Sequence, residues 1–94
     1  MVARSKKIKD SARGQECSLR LPGCSFDTEQ TIFAHVGSDR GMGFKCGDNM
    51  GVYACLPCHH SIDGHLRKTF ANDILRALEE TQSKLIQQEL LVVK

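Results

Sequence analysis

Cys55 and Cys58 stand in a Cys-x-x-Cys-His run that ends on His59, and Cys17 and Cys24 form a looser pair about thirty residues upstream. Two intervening residues let both thiolates of Cys55 and Cys58 point the same way. Pro22-Gly23 supplies a turn that folds Cys24 back toward Cys17. Zinc prefers sulfur and nitrogen ligands in a tetrahedron, and a structural site is closed by four of them. Cys17, Cys24, Cys55 and Cys58 are therefore the expected ligands of one structural Zn²⁺. That assignment leaves His35 and His59 free for proton transfer or for a second cation. Cys46 is the spare cysteine. It can replace Cys17 or Cys24, but its glycine-rich surroundings favour a free thiol.

The same run spells other motifs. Cys55-x-x-Cys58-His59 matches a c-type haem attachment, which needs export and leaves Cys17 and Cys24 unexplained. Cys55-Leu56-Pro57-Cys58 also reads as a redox dithiol, but the required βαβ context is absent. A disulfide framework is disfavoured by the odd cysteine and by the compartment expected below.

The chain has 94 residues, enough for one domain with one modest core. Aromatic mass is low, so a staple such as a metal site is expected. No signal-peptide run and no stretch near the length of a membrane span is found, and the chain is expected to be cytoplasmic. The formal charge is +2, and four thiolates with one Zn²⁺ bring the total near zero. Its distribution says more. Arg4, Lys6, Lys7, Lys9 and Arg13 crowd a basic arm, residues 1–13, with Asp10 alone against them. Such an arm suits phosphate contacts, with Lys6, Lys7, Lys9 and Arg13 as candidates.

These residues need elements to hold them. A short helix is expected near residues 10–15. Thr31-Ile32-Phe33-Ala34-His35-Val36 is β-branched and apolar and reads as a strand ending near His35. A loop with glycines at 37, 41, 43, 47 and 51 follows, and loops of this length are commonly functional. Val52-Tyr53-Ala54 is a second strand. Pro57 starts a helix through about Asp63, with Gly64 as its stop. Residues 71–90 form the last helix, with Ile74, Leu75, Leu78, Leu85, Ile86 and Leu90 at helical spacing and Asn72 or Asp73 as cap. Its apolar face is a packing face or, less simply, a homodimer face. Fold class is α+β: one domain over 1–94, with a zinc-stapled core at 17–64.

Strand, loop, strand, helix, with one histidine on the first strand and one on the helix, is the layout of a ββα-metal (HNH-type) nuclease. The sequence resembles the YbcO-like family of small prophage proteins classed as nucleases. The resemblance rests on Ser11-Ala12-Arg13-Gly14, Cys17 with Arg20-Leu21-Pro22-Gly23-Cys24, Ala34-His35, Gly41-Met42-Gly43, Asp48, Ala54-Cys55-x-x-Cys58-His59 and Ile62-Asp63-Gly64. These motifs span residues 11–64.

The resemblance implies a DNA endonuclease, a hydrolase of phosphodiester bonds, of phage or prophage origin. His35 would be the general base, since an imidazole ordinarily titrates near neutrality. His59 would ligate a catalytic divalent cation, Mg²⁺ or another, and Asp63, one helical turn on, would be a second ligand. Asn49 is the choice on chemistry for the middle role of orienting His35, whereas the resemblance favours Asp48. Ala34 departs from the HNH pattern, in which the residue before the base often ligates the metal. That departure sets up the alternative: a non-catalytic zinc-binding module that grips nucleic acid or a protein partner.

Overall fold

A computed structural model of the chain describes residues 4–36, 47–63 and 65–92. Most of the glycine-rich loop, with Cys46, and the Gly64 stop lie outside the described residues. Five regular elements position the site: α1 (Lys6–Asp10), β1 (Ile32–His35), β2 (Gly51–Ala54), α2 (Leu56–Ile62) and α3 (Ala71–Gln87).

Helix α1 lies earlier than the expected 10–15. Ser5 caps it, its side chain accepting the Ile8 N–H at 3.2 Å, and such a cap contributes roughly 1 kcal/mol. Lys7 and Lys9 sit in its last turn, where cations complement the helix dipole. The basic segment is thus a docked element: Ile8 and Ala12 are buried against Tyr53 and Leu85.

β1 and β2 pair antiparallel, with Phe33 opposite Tyr53 and His35 opposite Gly51. Side chains alternate between the two faces of a strand, and here the alternation divides the core. Ala34, Val36, Val52 and Ala54 face a cluster containing Cys17, Cys55, Cys58, Ile62 and Ile74. Phe33 and Tyr53 face Ile8, Ala12 and Leu85. Among the described residues no third strand pairs with the outer edge of β2, which is closed otherwise. Ser18 N–H donates to the Tyr53 carbonyl at 2.7 Å, and Tyr53 N–H donates to Thr81 Oγ1 at 3.2 Å. At the end of β1, an Arg67 guanidinium N–H donates to the Val36 carbonyl.

Pro57 lies in the first turn of α2, where its missing N–H has no cost. α3 is shorter than the expected 71–90. The chain turns at Glu89 with φ +60°, and Leu90 and Leu91 donate back to the Leu85 carbonyl at 2.9 and 3.3 Å. Its N-cap is Phe70, not Asn72 or Asp73, and there is no side-chain cap hydrogen bond. Asp73 falls instead in the first turn, 3.7 Å from Arg76. The buried face is Ile74, Ala77, Thr81 and Leu85, while Leu75 and Ile86 point outward.

Candidate functional site

The four cysteines converge. Cys24 follows the turn at Gly23, whose φ of +88° suits glycine, and its N–H donates to the Leu21 carbonyl at 2.9 Å. Cys55 leaves β2 as the cap residue of α2, and Cys58 sits inside that helix. All four Sγ atoms lie within 4.8 Å of one another, and Cys24 and Cys55 are 3.6 Å apart. A tetrahedron with Zn–S bonds of about 2.3 Å has sulfur–sulfur edges of about 3.8 Å, so the donor set suits one soft or borderline divalent ion. Cys17, Cys55 and Cys58 are buried and Cys24 is half-buried.

The thiols are unequal. Burial works against ionising Cys55, yet the backbone N–H groups of Cys58 and Ser25, with the Ser25 hydroxyl, bring it down to about 6. Burial pushes Cys58 up, and its neighbours Cys55 and Cys17 push it further. Burial also raises Cys24. A bound cation would favour all four thiolates at once. Arg76, which the sequence reading missed, fixes the loop that carries Cys17. Its guanidinium donates to the carbonyls of Ser18 at 2.8 Å and Leu19 at 2.7 Å.

His35 ends β1 and is mostly buried. Its Nε2 lies 2.7 Å from Asp48 Oδ1, and Asp48 is 1 % exposed. The second carboxylate oxygen accepts the Ser5 N–H at 2.5 Å, and Arg4 Nη1 stands 3.6 Å from Oδ1. Burial would raise the Asp48 pKa, but the hydrogen bonds from His35 and Ser5 outweigh it and hold the carboxyl below its ordinary value. The carboxylate against His35 is therefore that of Asp48. Asn49, the sequence-based choice, is held through its backbone carbonyl, which accepts from Gln82 Nε2 at 2.9 Å.

Phe33 meets the His35 ring edge-on, with centroids 5.4 Å apart at 90°. Its own ring lies where a side chain at position 51 would be, since a Cβ on Gly51 would come within 2.2 Å of it. Sequence inspection offered no signal for this pairing beyond a glycine at the start of a strand.

His59 sits in α2, half-buried, its ring centroid 6.4 Å from that of His60. Asp63 follows the same helix as its C-terminal cap residue and is exposed. Among the described residues, the cysteines are the one group in which three or more metal-ligating side chains converge, so His35, His59 and Asp63 are not drawn together in that way. His35 shares the strand face of Phe33, whereas α2 packs through Cys58 and Ile62 against the opposite face. His59 and Asp63 are four residues apart, on α2 and at its C-terminal cap, and two protein ligands would leave the other positions of a Mg²⁺-type ion to water. Lys6, Lys7, Lys9 and Arg13 are all exposed, and Lys6 pairs with Asp10 at 2.7 Å.

Comparison with known proteins adds three findings. A family model described as "Putative nuclease YbcO" matches residues 6–90. Two curated proteins, "Putative nuclease YbcO" of Escherichia coli (strain K12) and "Putative nuclease ybcO" of Enterobacteria phage 82, are each 37% identical over 59 residues. The match covers 60% of this chain and 62% of each relative, so it spans under two thirds of their length. A solved structure titled "Structure of a putative bacteriophage protein from Escherichia coli str. K-12 substr. MG1655" superposes with a TM-score of 0.68 at 27% identity, covering 86% of this chain and 98% of that one. No described helix is long and apolar enough to cross a membrane.

Proposed function

Because the chain belongs to the YbcO family, whose curated members are named as nucleases, we propose that it is a metal-dependent DNA endonuclease of the ββα-metal (HNH-like) kind. The observation that carries the reading is the His35–Asp48 pair at 2.7 Å. A buried carboxylate fixes the imidazole's tautomer and orientation, which is what a general base needs. His35 takes the proton of the attacking water, and Asp48 holds the ring and stabilises the imidazolium that forms. Hydrogen bonds from His35 and from the Ser5 N–H keep Asp48 ionised against its burial.

A divalent cation, when bound, supplies Lewis-acid stabilisation of the phosphate and leaving oxygen. His59 and Asp63 would hold it. The cysteine cluster holds Zn²⁺ as a structural staple, and Lys6, Lys7, Lys9 and Arg13 meet the DNA phosphates. The phage relative supports a phage or prophage origin, and the reaction belongs in the cytoplasm, where phage DNA is handled. The experiment is cleavage of supercoiled plasmid with Mg²⁺, Mn²⁺ or no added divalent cation, comparing wild type with His35→Ala. Cation-dependent nicking that the variant lacks is expected. Equal cutting by the two proteins, or none with any cation, overturns the reading.

A second reading is favoured by two observations: Ala34 where the HNH pattern often has a ligand, and, among the described residues, no group of three or more metal-ligating side chains that includes His59. It is a zinc-stapled module that binds nucleic acid without cutting it. Binding without cleavage in the same assay supports it.

A further inference from the structure

A groove of about 600 Å³ runs between α1 with its following turn and the start of β1. It falls within the size range of small-ligand sites. Lys9 in α1, Arg13 in the turn after it and Glu29 ahead of β1 line it, with Ala12, Thr31 and Phe33. Asp10 also reaches the groove, but Lys6 pairs with it. Thr31 is 3 % exposed, and its Oγ1 is buried without a hydrogen-bond partner. A buried hydroxyl left unpaired is uncommon and marks unmet hydrogen-bonding capacity.

The groove adjoins the His35 site. Phe33 and His35 alternate along β1 and so share one face, and Thr31, extended at φ −74° and ψ 128°, immediately precedes that strand. Phe33 lines the groove and packs its ring against His35. Two residues advance a strand by about 6.6 Å, a step comparable with the separation of neighbouring phosphates along a nucleic-acid strand.

We propose that this groove receives one unpaired nucleotide of the DNA, next to the phosphodiester presented to His35. The inference rests on the nucleic-acid reading above and names the form of the substrate. Cations alone would suffice for a duplex backbone. The apolar wall of Ala12 and Phe33 and the polar groups of Thr31 and Glu29 have no use there. They suit a base turned out of the helix, which is recognised by contact with apolar and aromatic side chains and by hydrogen bonds to its edge. Lys9 and Arg13 take its phosphates. The Glu29 carboxylate repels phosphate but accepts from an exocyclic amine, so cytosine, adenine and guanine fit better than thymine.

The test is fluorescence anisotropy with the intact His35→Ala protein, zinc-loaded, on three labelled duplexes: fully paired, with one bulged cytosine, and with one bulged thymine. The bulged cytosine should bind about tenfold tighter than the paired duplex, the scale of one base contact with an aromatic wall. Thr31→Val should reduce that preference. Glu29→Gln, at an exposed position, should abolish the cytosine-over-thymine difference. Thr31→Val changes no charge, so its paired-duplex affinity should hold, whereas Glu29→Gln lifts a repulsion and should leave paired-duplex affinity equal or slightly higher. Equal affinity for paired and bulged DNA overturns the inference even where plasmid cleavage succeeds. A retained preference in both variants also overturns it. A bulge preference that falls in the variants, in a protein that cuts nothing, upholds this site and removes the nuclease reading.

Discussion

Phe33 lays its ring over Gly51, the residue paired across the sheet from His35, and presses its edge against the His35 imidazole. The imidazole is thus held from two sides, by an aromatic edge and by the Asp48 carboxylate. A methyl at position 51 would collide with the ring at 2.2 Å. Gly51→Ala should therefore cost about 1–3 kcal/mol of stability, the usual scale for overpacking, and lower plasmid cleavage more than the stability loss explains. Chemical denaturation and cleavage measured side by side check this. An unchanged rate would show that the Phe33 ring does not position His35.

The middle role separates two neighbouring residues. Asp48→Asn removes the charge that stabilises an imidazolium, and should lower cleavage by on the order of 10²-fold, the scale of general-base assistance. Asn49→Ala should leave the rate within a few-fold, because Asn49 is held through its backbone carbonyl, which the substitution keeps. The two variants, compared at matched zinc content, decide the point. A slow Asn49→Ala with a fast Asp48→Asn would reverse it.

Zinc should be found at about one per chain by elemental analysis, since four sulfurs lie within 4.8 Å. Structural zinc in small domains is worth roughly 10 kcal/mol or more of folding energy. The Cys55→Ser/Cys58→Ser double variant should accordingly lose both the metal and the cooperative thermal transition. Full zinc content in that variant would break the assignment.

Because α1 is docked through Ile8, deleting the basic arm would disturb Asp48 as well as the charges. Charge removal is the cleaner probe. Lys6→Gln, Lys7→Gln and Lys9→Gln together should keep the fold and flatten the slope of log affinity against log salt by about 0.9 for each phosphate no longer neutralised. An unchanged slope would make these lysines a solvated face.

The Arg20–Glu80–Arg76 group predicts a pH dependence. The bidentate bond from Arg20, at 3.0 and 2.8 Å, outweighs partial burial and, with Arg76, brings Glu80 down to about 2. A carboxyl depressed on folding stabilises above its unfolded value and loses that contribution as pH falls through the folded one. The wild-type advantage over Glu80→Gln should thus be constant from pH 7 to about 4.5 and shrink below that. With Arg20 and Glu80 both partly exposed, it should stay under about 1 kcal/mol. Urea unfolding with zinc in excess, at pH 7, 5 and 4, measures it.

Local chemistry made some of this legible in the sequence. The two strands were readable from β-branched residues, α2 from Pro57, and the convergence of the cysteines from their spacing. What was hidden was settled at a distance. Asp48 and Asn49 are adjacent and equally polar. Which one reaches His35 is fixed by the turn in which Met50 N–H donates to the Gly47 carbonyl at 3.0 Å, and by Ser5 from the far end of the chain. On α3, hydropathy favoured Leu75 and Ile86 over Thr81. Thr81 is the buried one because its hydroxyl serves the Tyr53 N–H at the sheet edge, a partner no helical periodicity can reveal.

The division of the two-stranded sheet into two faces has one more consequence. Four-residue strands carry little to keep their register, and a slip of one residue would exchange every side chain between faces. It would turn His35 toward the thiols and offer Ala34 to Asp48. Cys55 follows β2 directly, so anchoring its sulfur in the cluster pins the phase of that strand, and the ladder passes the phase on to β1. The cysteines, on the opposite face, therefore act as the clamp that decides which way the histidine points.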